Sequence, residues 1–433
     1  MGHVIVVDLG FGDAGKGTVV DWLCARGPEP VHAVVRFNGG AQAAHNVVAA
    51  DGRHHTFAQL GSGTFTPGVR THLSRFTLVD PLALAAEAGH LRALGVADAL
   101  DRLTVDGEAL LTTPYHRAAN RARETARGAA RHGSCGMGIG ETVAYSLAHA
   151  DAPRVRDCLS PARLRRGLTA LRDWYNAEFP DGEDVPPVGA CVDAFTAFAD
   201  RVRIVGPDHL RTLLRTGNVV FEGAQGVLLD EWHGFHPYTT WSTTTFANAE
   251  TLLEEAGAGA GSATRLGVVR TYATRHGPGP FVTEDPVLTA ELPDPHNGTG
   301  RWQGAFRVGH LDAVALRYAL EVTGPVDALA VTHLDVAGAR TDLKLCVAYE
   351  GMDRAPVRRL PVHPAGDLEA QGALTRRLLK ARPVYVPLPS DPLETISEAL
   401  GTPVALWSSG PRASDKGTPA GGASLIRAGS LSA

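Results

Sequence analysis

The sequence predicts an α/β protein built on a large, mostly parallel, doubly wound sheet with helices on both faces and smaller helical insertions. Two observations predict this fold class. Apolar runs of strand length alternate with helical stretches, and several of the runs lead directly into glycine or polar turns. The strand-like runs lie at 31–36, 219–221, 266–272, 328–334, 343–349 and 404–407, and the helical stretches lie at 81–94 and 114–130. Ligands of such sheets bind beyond the carboxyl ends of the strands.

The first element is a strand that runs into a glycine-rich turn and then into a helix. Gly10, Gly15 and Lys16 fit the phosphate-loop spacing G-x-x-x-x-G-K. Glycines beside a helix N-terminus let backbone N–H groups approach a phosphate closely. The standard loop carries Ser or Thr after the lysine, whereas this chain has Gly17 there and Thr18 one position later. We therefore predict a nucleotide-binding core that is similar to a phosphate loop.

Asp13 lies inside this turn, where a carboxylate repels phosphate. A loop that only binds phosphate has no use for this charge, whereas a site that also needs a base or a metal ligand does. The alternative is a glycine turn that carries an acid by chance. Lysine usage argues against that alternative, because Lys16 is one of only four lysines in a chain that otherwise uses arginine. A compact ammonium group suits a β- or γ-phosphate as a point charge.

The composition argues against several classes of function. The formal net charge is −5 over 433 residues and no basic run is present, so we expect no nucleic-acid partner. No apolar stretch reaches membrane-spanning length, so we expect no membrane partner. The five cysteines are scattered, odd in number and without C-x-x-C spacing, which predicts reduced thiols, no zinc site and a cytoplasmic location.

A single domain is predicted to span 1–433. Within it we expect a helical insertion at about 81–215 and a mobile substrate loop at about 287–310, where glycines and prolines are dense. The segment 419–433 is rich in Gly, Ala and Ser, and we expect it to be disordered.

Four stretches stand in a diagnostic order along the chain. They are Gly-Asp-Ala-Gly-Lys-Gly at 12–17, the run 36–45 that contains Asn-Gly-Gly, the run 221–230 that contains Glu-Gly-Ala-Gln-Gly, and Thr-His-Leu-Asp-Val at 332–336. In this order and spacing they resemble the adenylosuccinate synthetase family. The stretches 274–281 and 408–411 extend the resemblance over nearly the whole chain. The set is specific for the family, though not for an exact substrate.

The resemblance implies a GTP-dependent C–N ligase that joins aspartate to IMP or a similar nucleotide. The family phosphorylates the 6-oxo group of the purine, and the amine then displaces phosphate to give adenylosuccinate. Asp13 corresponds to the family's base, which is also a magnesium ligand. His45 corresponds to the family's proton donor, which stabilises the γ-phosphate during its transfer. Asp335 corresponds to the residue that reads guanine, because a carboxylate accepts its N1–H and 2-amino groups, which favours GTP over ATP. The resemblance also implies Mg²⁺ as cofactor and a homodimer.

The resemblance carries over, residue by residue, to sets of predicted site residues. The catalytic set is Asp13, His45, Lys16 and Gln225. The GTP-binding set is Gly12, Gly15, Lys16, Gly17, Thr18, Arg307, His333, Asp335, Ser408, Ser409 and Gly410. The acceptor-binding set is Asn38, Gln42, Ser134, Cys135, Gln225 and Thr240. The amino-acid-binding set is Thr299, Gly300, Arg301 and Arg307, and the metal ligands are Asp13 and the carbonyl of Ala44.

Departures from the family pattern concentrate on the acceptor and amino-acid side. In the turn 133–140, Cys135 stands where a threonine is expected and Met137 where an arginine is expected. The arginine that a partner subunit lends to the acceptor's phosphate corresponds here to His149. Three further departures are single residues: Gln42 for an asparagine, Ala44 for a glycine and His333 for a lysine. In the amino-acid loop, Val-Gly-His at 308–310 replaces Thr-Gly-Trp. That loop is longer than in the family, but it keeps Arg301 and Arg307.

These departures leave other interpretations open. One is a specialised paralogue that uses a different acceptor or amine in nucleoside natural-product biosynthesis. Chemistry at the 2-amino position of a guanine nucleotide is less favoured, because Asp13 suits a 6-oxopurine. Another is a non-catalytic GTP-binding regulator, which would need neither Asp13 nor His45. A kinase is the third, and it would release a stable phosphorylated product without an amine.

Overall fold

A computed structural model describes residues 2–180, 182–294 and 297–427. The strands are β1 His3–Asp8, β2 Val31–Arg36, β3 His45–Val48, β4 His54–Phe57, β5 Arg70–Leu73, β6 Leu103–Asp106, β7 Arg203–Val205, β8 Asn218–Glu222, β9 Ala263–Arg270, β10 Ala273–His276, β11 Phe306–Gly309, β12 Leu311–Asp312, β13 Ala328–Thr332, β14 Lys344–Glu350, β15 Arg382–Pro387, β16 Val404–Ser408 and β17 Lys416–Gly417. The helices are α1 Lys16–Arg26, α2 Pro81–Ala93, α3 Pro114–Arg127, α4 Ile139–Ala148, α5 Pro161–Glu178, α6 Val188–Ala199, α7 Asp208–Thr216, α8 Ala247–Glu255, α9 Pro286–Glu291, α10 Ala313–Thr323, α11 Leu334–Ala339, α12 Leu368–Leu378, α13 Leu393–Leu400 and α14 Gly422–Arg427.

In the described part of the chain, ten strands form the main sheet in the order β17-β16-β13-β9-β1-β8-β2-β5-β6-β7. Every neighbouring pair is parallel except β16 and β17. The central strand β1 lies between β9 and β8, so the turn that follows it opens at the middle of the sheet's carboxyl edge. In open α/β sheets this is where ligands bind.

The side chains of β1 show that both faces of the sheet are covered. Ile5 and Val7 belong to one buried cluster, which includes residues of α7, α8 and α10. Val4 and Val6 belong to another, which includes Val19 and Val20 of α1 and Ile426 of α14. Alternate strand residues point to opposite faces, so helices lie on both sides. The predicted doubly wound α/β class is confirmed.

Local capping explains where two of the helices begin. The Asp80 carboxylate accepts hydrogen bonds from the N–H groups of Leu82 and Ala83, and Pro81 occupies the first position of α2. Asp312 caps α10 in the same way. Such caps satisfy N–H groups that have no partner inside the helix, and proline at the first turn loses no hydrogen bond.

The segment 81–215 is mostly helical and contains α2 to α6 and nearly all of α7. It also contributes β6 and β7 to one edge of the main sheet. The segment 287–310 includes most of α9 and all of β11. In the tail that we expected to be disordered, α14 packs through buried Ile426 against the sheet. The remainder of that tail, 428–433, lies outside the described residues. Among the described residues, no helix is both long and apolar enough to cross a membrane.

Candidate active site

The turn after β1 has the backbone shape of an anion-binding loop. Gly12, Asp13 and Gly15 all have positive φ, at 98°, 59° and 92°. The turn ends at Lys16, the first residue of α1, so the free N–H groups of that helix face the turn. The predicted strand, glycine turn and helix are all present.

Gly17 explains why the loop departs from the standard pattern. A Cβ at this position would lie 2.7 Å from the Cβ of His45 and 3.1 Å from Oγ of Ser62. The helix therefore starts against the next loop of the sheet, and a Ser or Thr side chain would not fit between them. The close approach brings His45 next to the end of the phosphate loop, where α1 begins.

Asp8 lies beneath the loop and is a residue that the sequence analysis missed. Its Oδ1 accepts the N–H of Gly10 at 2.8 Å, and its Oδ2 accepts the N–H of Ala14 at 2.8 Å. Oδ2 also lies 3.1 Å from Nζ of Lys16, and both side chains are buried. The Asp8 carboxylate thus holds the loop in its turn through two hydrogen bonds, and its negative charge compensates that of Lys16. The only sequence signal was its place as the last residue of the first strand.

Asp13 is held from two sides. Arg270 donates a hydrogen bond from Nη1 to the Asp13 carbonyl oxygen at 2.9 Å, and Nε2 of His276 lies 3.0 Å from Oδ2 of the carboxylate. Burial alone would raise the pKa of Asp13, but the hydrogen bond from His276 and the nearby charges of Lys16 and Arg270 outweigh it and lower that pKa. Asp13 is therefore ionised near neutral pH, which is the state that a base requires.

His45 pairs with Glu222 at the end of β8. His45 Nδ1 lies 2.6 Å from Oε1 of Glu222. A carboxylate can only accept, so Nδ1 carries the proton and Nε2 is left for a ligand. Burial and the charge of Arg36 lower the pKa of His45.

The Glu222 carboxylate is fully buried and has several donors. Ser62 donates its hydroxyl to Oε1 and its N–H to Oε2, the latter at 2.9 Å. Burial opposes ionisation, but Arg36, His45 and these hydrogen bonds lower the pKa of Glu222 to about 2. Glu222 orients His45. The sequence did not indicate this role for Glu222, because its partners lie far away along the chain.

The acceptor side contains side-chain amides with and without partners. Asn38 donates from Nδ2 to the carbonyls of Ala224 and Thr243, at 3.1 and 3.0 Å, and accepts the N–H of Ala224, so it clamps two loops together. Gln225 has φ of 56° and a buried Oε1 without a partner in the described structure. Both amide atoms of Gln42 are likewise buried and unpaired among the described residues. Buried polar atoms without partners mark a place for a ligand or water.

The remaining predicted acceptor residues lie in two loops. Ser134 exchanges hydrogen bonds with the amide of Asn120, at 2.7 Å from Nδ2 and 3.0 Å to Oδ1. Cys135 is half-buried, and burial raises the pKa of its thiol. Thr240 is half-buried, and its N–H donates to the carbonyl of Leu229. His149 stacks on Tyr145 with ring centroids 4.1 Å apart.

The residues predicted to bind guanine lie where two neighbouring strands end. Strands β13 and β16 pair in parallel, so Asp335 in α11 and the turn 408–410 lie beyond the same edge. Asp335 and Ser409 are exposed, and Ser408 is buried. His333 has φ of 61°, and burial lowers its pKa well below the usual value, so it is neutral near pH 7.

The two arginines of the predicted amino-acid loop differ in their surroundings. Arg307 pairs with Glu284 at 2.7 Å and donates to the carbonyl of Gly279 at 3.1 Å. Arg301 is exposed and lies over the ring of Trp302. Thr299 and Gly300 are also exposed.

Trp302 connects this loop with the predicted acceptor loop. A Cβ on Gly136 would lie 2.8 Å from Cδ1 of Trp302, so the indole packs directly on the backbone of the turn 133–140. The two segments that depart most from the family pattern therefore contact each other.

The site combines parts that the sequence placed far apart. The structure brings together the phosphate loop, His45 and Gln225, and the strand ends that carry His333 and Ser408. A close approach of the loops shows this, because a Cβ on Gly226 would lie 2.2 Å from the carbonyl oxygen of Gly10. The specific roles assigned to the predicted site residues stay predictions.

Comparisons with known proteins agree with the family resemblance. The family model of adenylosuccinate synthetase matches residues 5–416. An adenylosuccinate synthetase of Marinomonas sp. is 34% identical over 444 residues, which cover 94% of this chain and 96% of that protein. An adenylosuccinate synthetase of Neisseria gonorrhoeae is 33% identical over 431 residues, with the same coverage of 94% and 96%.

Two solved structures share the fold. The fully ligated adenylosuccinate synthetase of Plasmodium falciparum superposes with a TM-score of 0.82 at 22% identity, covering 97% of this chain and 100% of that one. A succinoaminodeoxyadenylate synthetase of cyanophage S-2L, bound to dGMP and to dATP as energy donor, superposes with a TM-score of 0.60 at 20% identity and 99% coverage of both chains. The chain therefore belongs to the adenylosuccinate synthetase family, and the predicted GTP-dependent C–N ligase is confirmed at the level of that family.

Proposed function

We propose that this chain uses GTP to activate the 6-oxo group of IMP, or of an IMP-like nucleotide, and joins that carbon to the amine of aspartate. The observation that carries this proposal is the placement of an ionised carboxylate, Asp13, inside a phosphate loop beside a His45–Glu222 pair. A protein that only binds GTP needs neither group.

The first step is phosphoryl transfer to the purine oxygen. Asp13 takes the N1 proton of the base, which places negative charge on O6. The O6–P bond then forms at the γ-phosphorus of GTP while the bond to the leaving GDP oxygen breaks. Lys16 and the N–H groups at the start of α1 bind the phosphates. His45 takes a proton from solvent at Nε2 and donates it in a hydrogen bond to the transferring group.

The second step is displacement by the amine. The amine nitrogen forms a bond to C6, the C6–O6 bond breaks, and inorganic phosphate leaves with the oxygen that was O6. The amine loses protons to solvent until one N–H remains, and Asp13 releases the N1 proton to solvent, so the product carries an N–H at the new bond and an unprotonated N1. The exposed guanidinium of Arg301, which lies over the ring of Trp302, is positioned to bind the carboxylates of an amino acid.

The donor set at the loop suits Mg²⁺. Asp13 provides a carboxylate and Ala44, which is exposed, provides a carbonyl oxygen; Mg²⁺ prefers such ligands together with substrate phosphates. In the described structure no cluster of three or more His, Cys, Asp or Glu side chains could hold a metal by itself. When bound, Mg²⁺ neutralises phosphate charge during the transfer.

A specialised acceptor or amine is the second candidate, and a specific observation favours it. Arg307 is engaged by Glu284, and the bulky Trp302 packs on the acceptor turn at Gly136. Each lost charge-assisted contact costs about 1.5–3 kcal/mol, or roughly one to two decades in affinity. The cyanophage relative, named for a deoxyadenylate product and bound to dGMP, illustrates that a different purine nucleotide can occupy this fold.

The substrate pair is tested by phosphate release over a panel of 6-oxopurine nucleotides and amines. We expect release from GTP only when a nucleotide and an amine are both present. Turnover of IMP and aspartate with ordinary micromolar to millimolar KM values would refute the specialised alternative. A nucleotide phosphorylated without any amine would instead indicate a kinase, and no release with any pair would indicate a regulator.

We also propose a homodimer in the cytoplasm. The family resemblance supports the dimer. His149 stands where the family has an arginine that binds the acceptor's phosphate in the partner subunit's site. Five unpaired cysteines are consistent with a reducing compartment.

A further inference from the structure

His276 contacts the proposed base directly. It occupies the end of β10, and its Nε2 lies 3.0 Å from Oδ2 of Asp13, with the side chains 19% and 25% exposed. Because a carboxylate only accepts, the imidazole must donate from Nε2. The hydrogen bond occupies Oδ2 and leaves Oδ1 for the acceptor's proton.

The ring of His276 is itself held in place. Strands β10 and β11 pair in antiparallel fashion with His276 directly opposite Phe306, and the two rings lie 4.9 Å apart between centroids. Phe306 belongs to the predicted substrate loop. The imidazole therefore lies between that loop and the base, in contact with both.

Asp13 has a backbone conformation that requires such support. Its φ of 59° lies in the left-handed region, which is unfavourable for most residues with a Cβ. The hydrogen bond from Arg270 to its carbonyl oxygen holds the main chain. His276 is the partner that holds the side chain, so main-chain and side-chain contacts together define one orientation of the carboxylate.

We propose that His276 is a positioning residue for the reaction: its Nε2–H orients the Asp13 carboxylate toward the acceptor, and its packing on Phe306 couples that orientation to the seating of the substrate loop. This inference rests on the proposed function of Asp13 as the base.

Paired substitutions separate this role from a purely structural one. His276→Leu removes the donor and keeps bulk, whereas His276→Gln places an amide N–H close to the position of Nε2. We expect His276→Leu to lower kcat about 10–100-fold, because a catalytic group displaced by roughly 1 Å loses rate on that scale. The KM for GTP should change less than about threefold. His276→Gln should recover most of the loss. His363→Leu, at a half-buried histidine outside the site, is the matched control and should leave both constants unchanged.

Two results would overturn the proposal: full kcat in His276→Leu, or equal losses in the Leu and Gln variants. A crystal structure of His276→Leu gives a readout that does not depend on activity. A rotated Asp13 carboxylate is expected, and an unchanged carboxylate contradicts the proposal. If the parent protein shows no turnover with any substrate pair, the proposed function fails while the crystal structure still decides the role of His276.

Discussion

Replacing Asp13 by asparagine is expected to lower phosphate release about 10²–10⁴-fold, the range for loss of a general base. Asparagine has nearly the same shape and can still accept the hydrogen bond from His276, but it cannot take the N1 proton. Nucleotide binding should persist, because Lys16 and the N–H groups of α1 are unchanged. Steady-state phosphate release and calorimetric titration with GTP measure the two effects separately.

The control for this variant is Asp51→Asn, at an exposed aspartate in a surface turn whose side chain is 54% exposed. It should retain full activity. Turnover of Asp13→Asn close to that of the parent would show that Asp13 is not the base. An absence of turnover in both parent and variant would favour a GTP-binding regulator.

Replacing Glu222 by alanine is expected to lower the free energy of unfolding by about 3–5 kcal/mol, the range for removing one partner of a buried ion pair. The variant removes a negative charge that interacts electrostatically with the Arg36 guanidinium, which is only 1% exposed. It also removes the acceptor for His45 and for Ser62. Chemical denaturation measures the loss, and equal stability of parent and variant would contradict the account.

A surface pair provides the matched control. Glu178 pairs with Arg123 at 2.7 Å but is 39% exposed, so Glu178→Ala should cost no more than about 1 kcal/mol. The double variant Arg36→Met with Glu222→Met should be more stable than Glu222→Ala, because it leaves no buried charge unpaired.

The same ion pair predicts a pH dependence. The pKa of Glu222 falls from 4.5 to about 2 on folding. A lowered carboxylate pKa contributes stability that is complete above the unfolded value and is lost as the pH falls toward the folded value. The parent should therefore lose more stability than Glu222→Gln between pH 4.5 and about 2.

Much of the fold was predictable because its signals are local. The strand predicted at 31–36 matches β2, and the apolar run before the phosphate loop is β1, since buried parallel strands read as continuous apolar runs. The strand predicted at 343–349 is present as β14, but it belongs to a separate three-stranded sheet with β12 and β15. Pairing partners are set by tertiary packing, which no local pattern encodes.

The missed elements are short. Strands β6 and β7 have four and three residues and lie inside a segment dominated by helices, so they produced no clear alternation. The helix α14 has only six residues, which is too short for a periodic signal. It is stabilised by burial of Ile426 rather than by helix propensity.

The candidate site was predicted in part for a similar reason. Asp13 and His45 lie in motifs that can be recognised along the chain. Their partners, His276 and Glu222, also lie in recognisable stretches, at 274–281 and 221–230, but these stretches are distant in sequence and do not indicate which residues they contact. Such pairings come from the convergence of strand ends at one edge of the sheet.

The central claim is that the oxygen at C6 of the acceptor is phosphorylated and leaves as phosphate. The most direct test follows an ¹⁸O label placed at O6 of IMP, or of the acceptor found in the panel, through a complete turnover with GTP and the amine. The account predicts that the label appears in inorganic phosphate. Label that stays in the purine product, or unlabelled phosphate formed at the same rate, would contradict it.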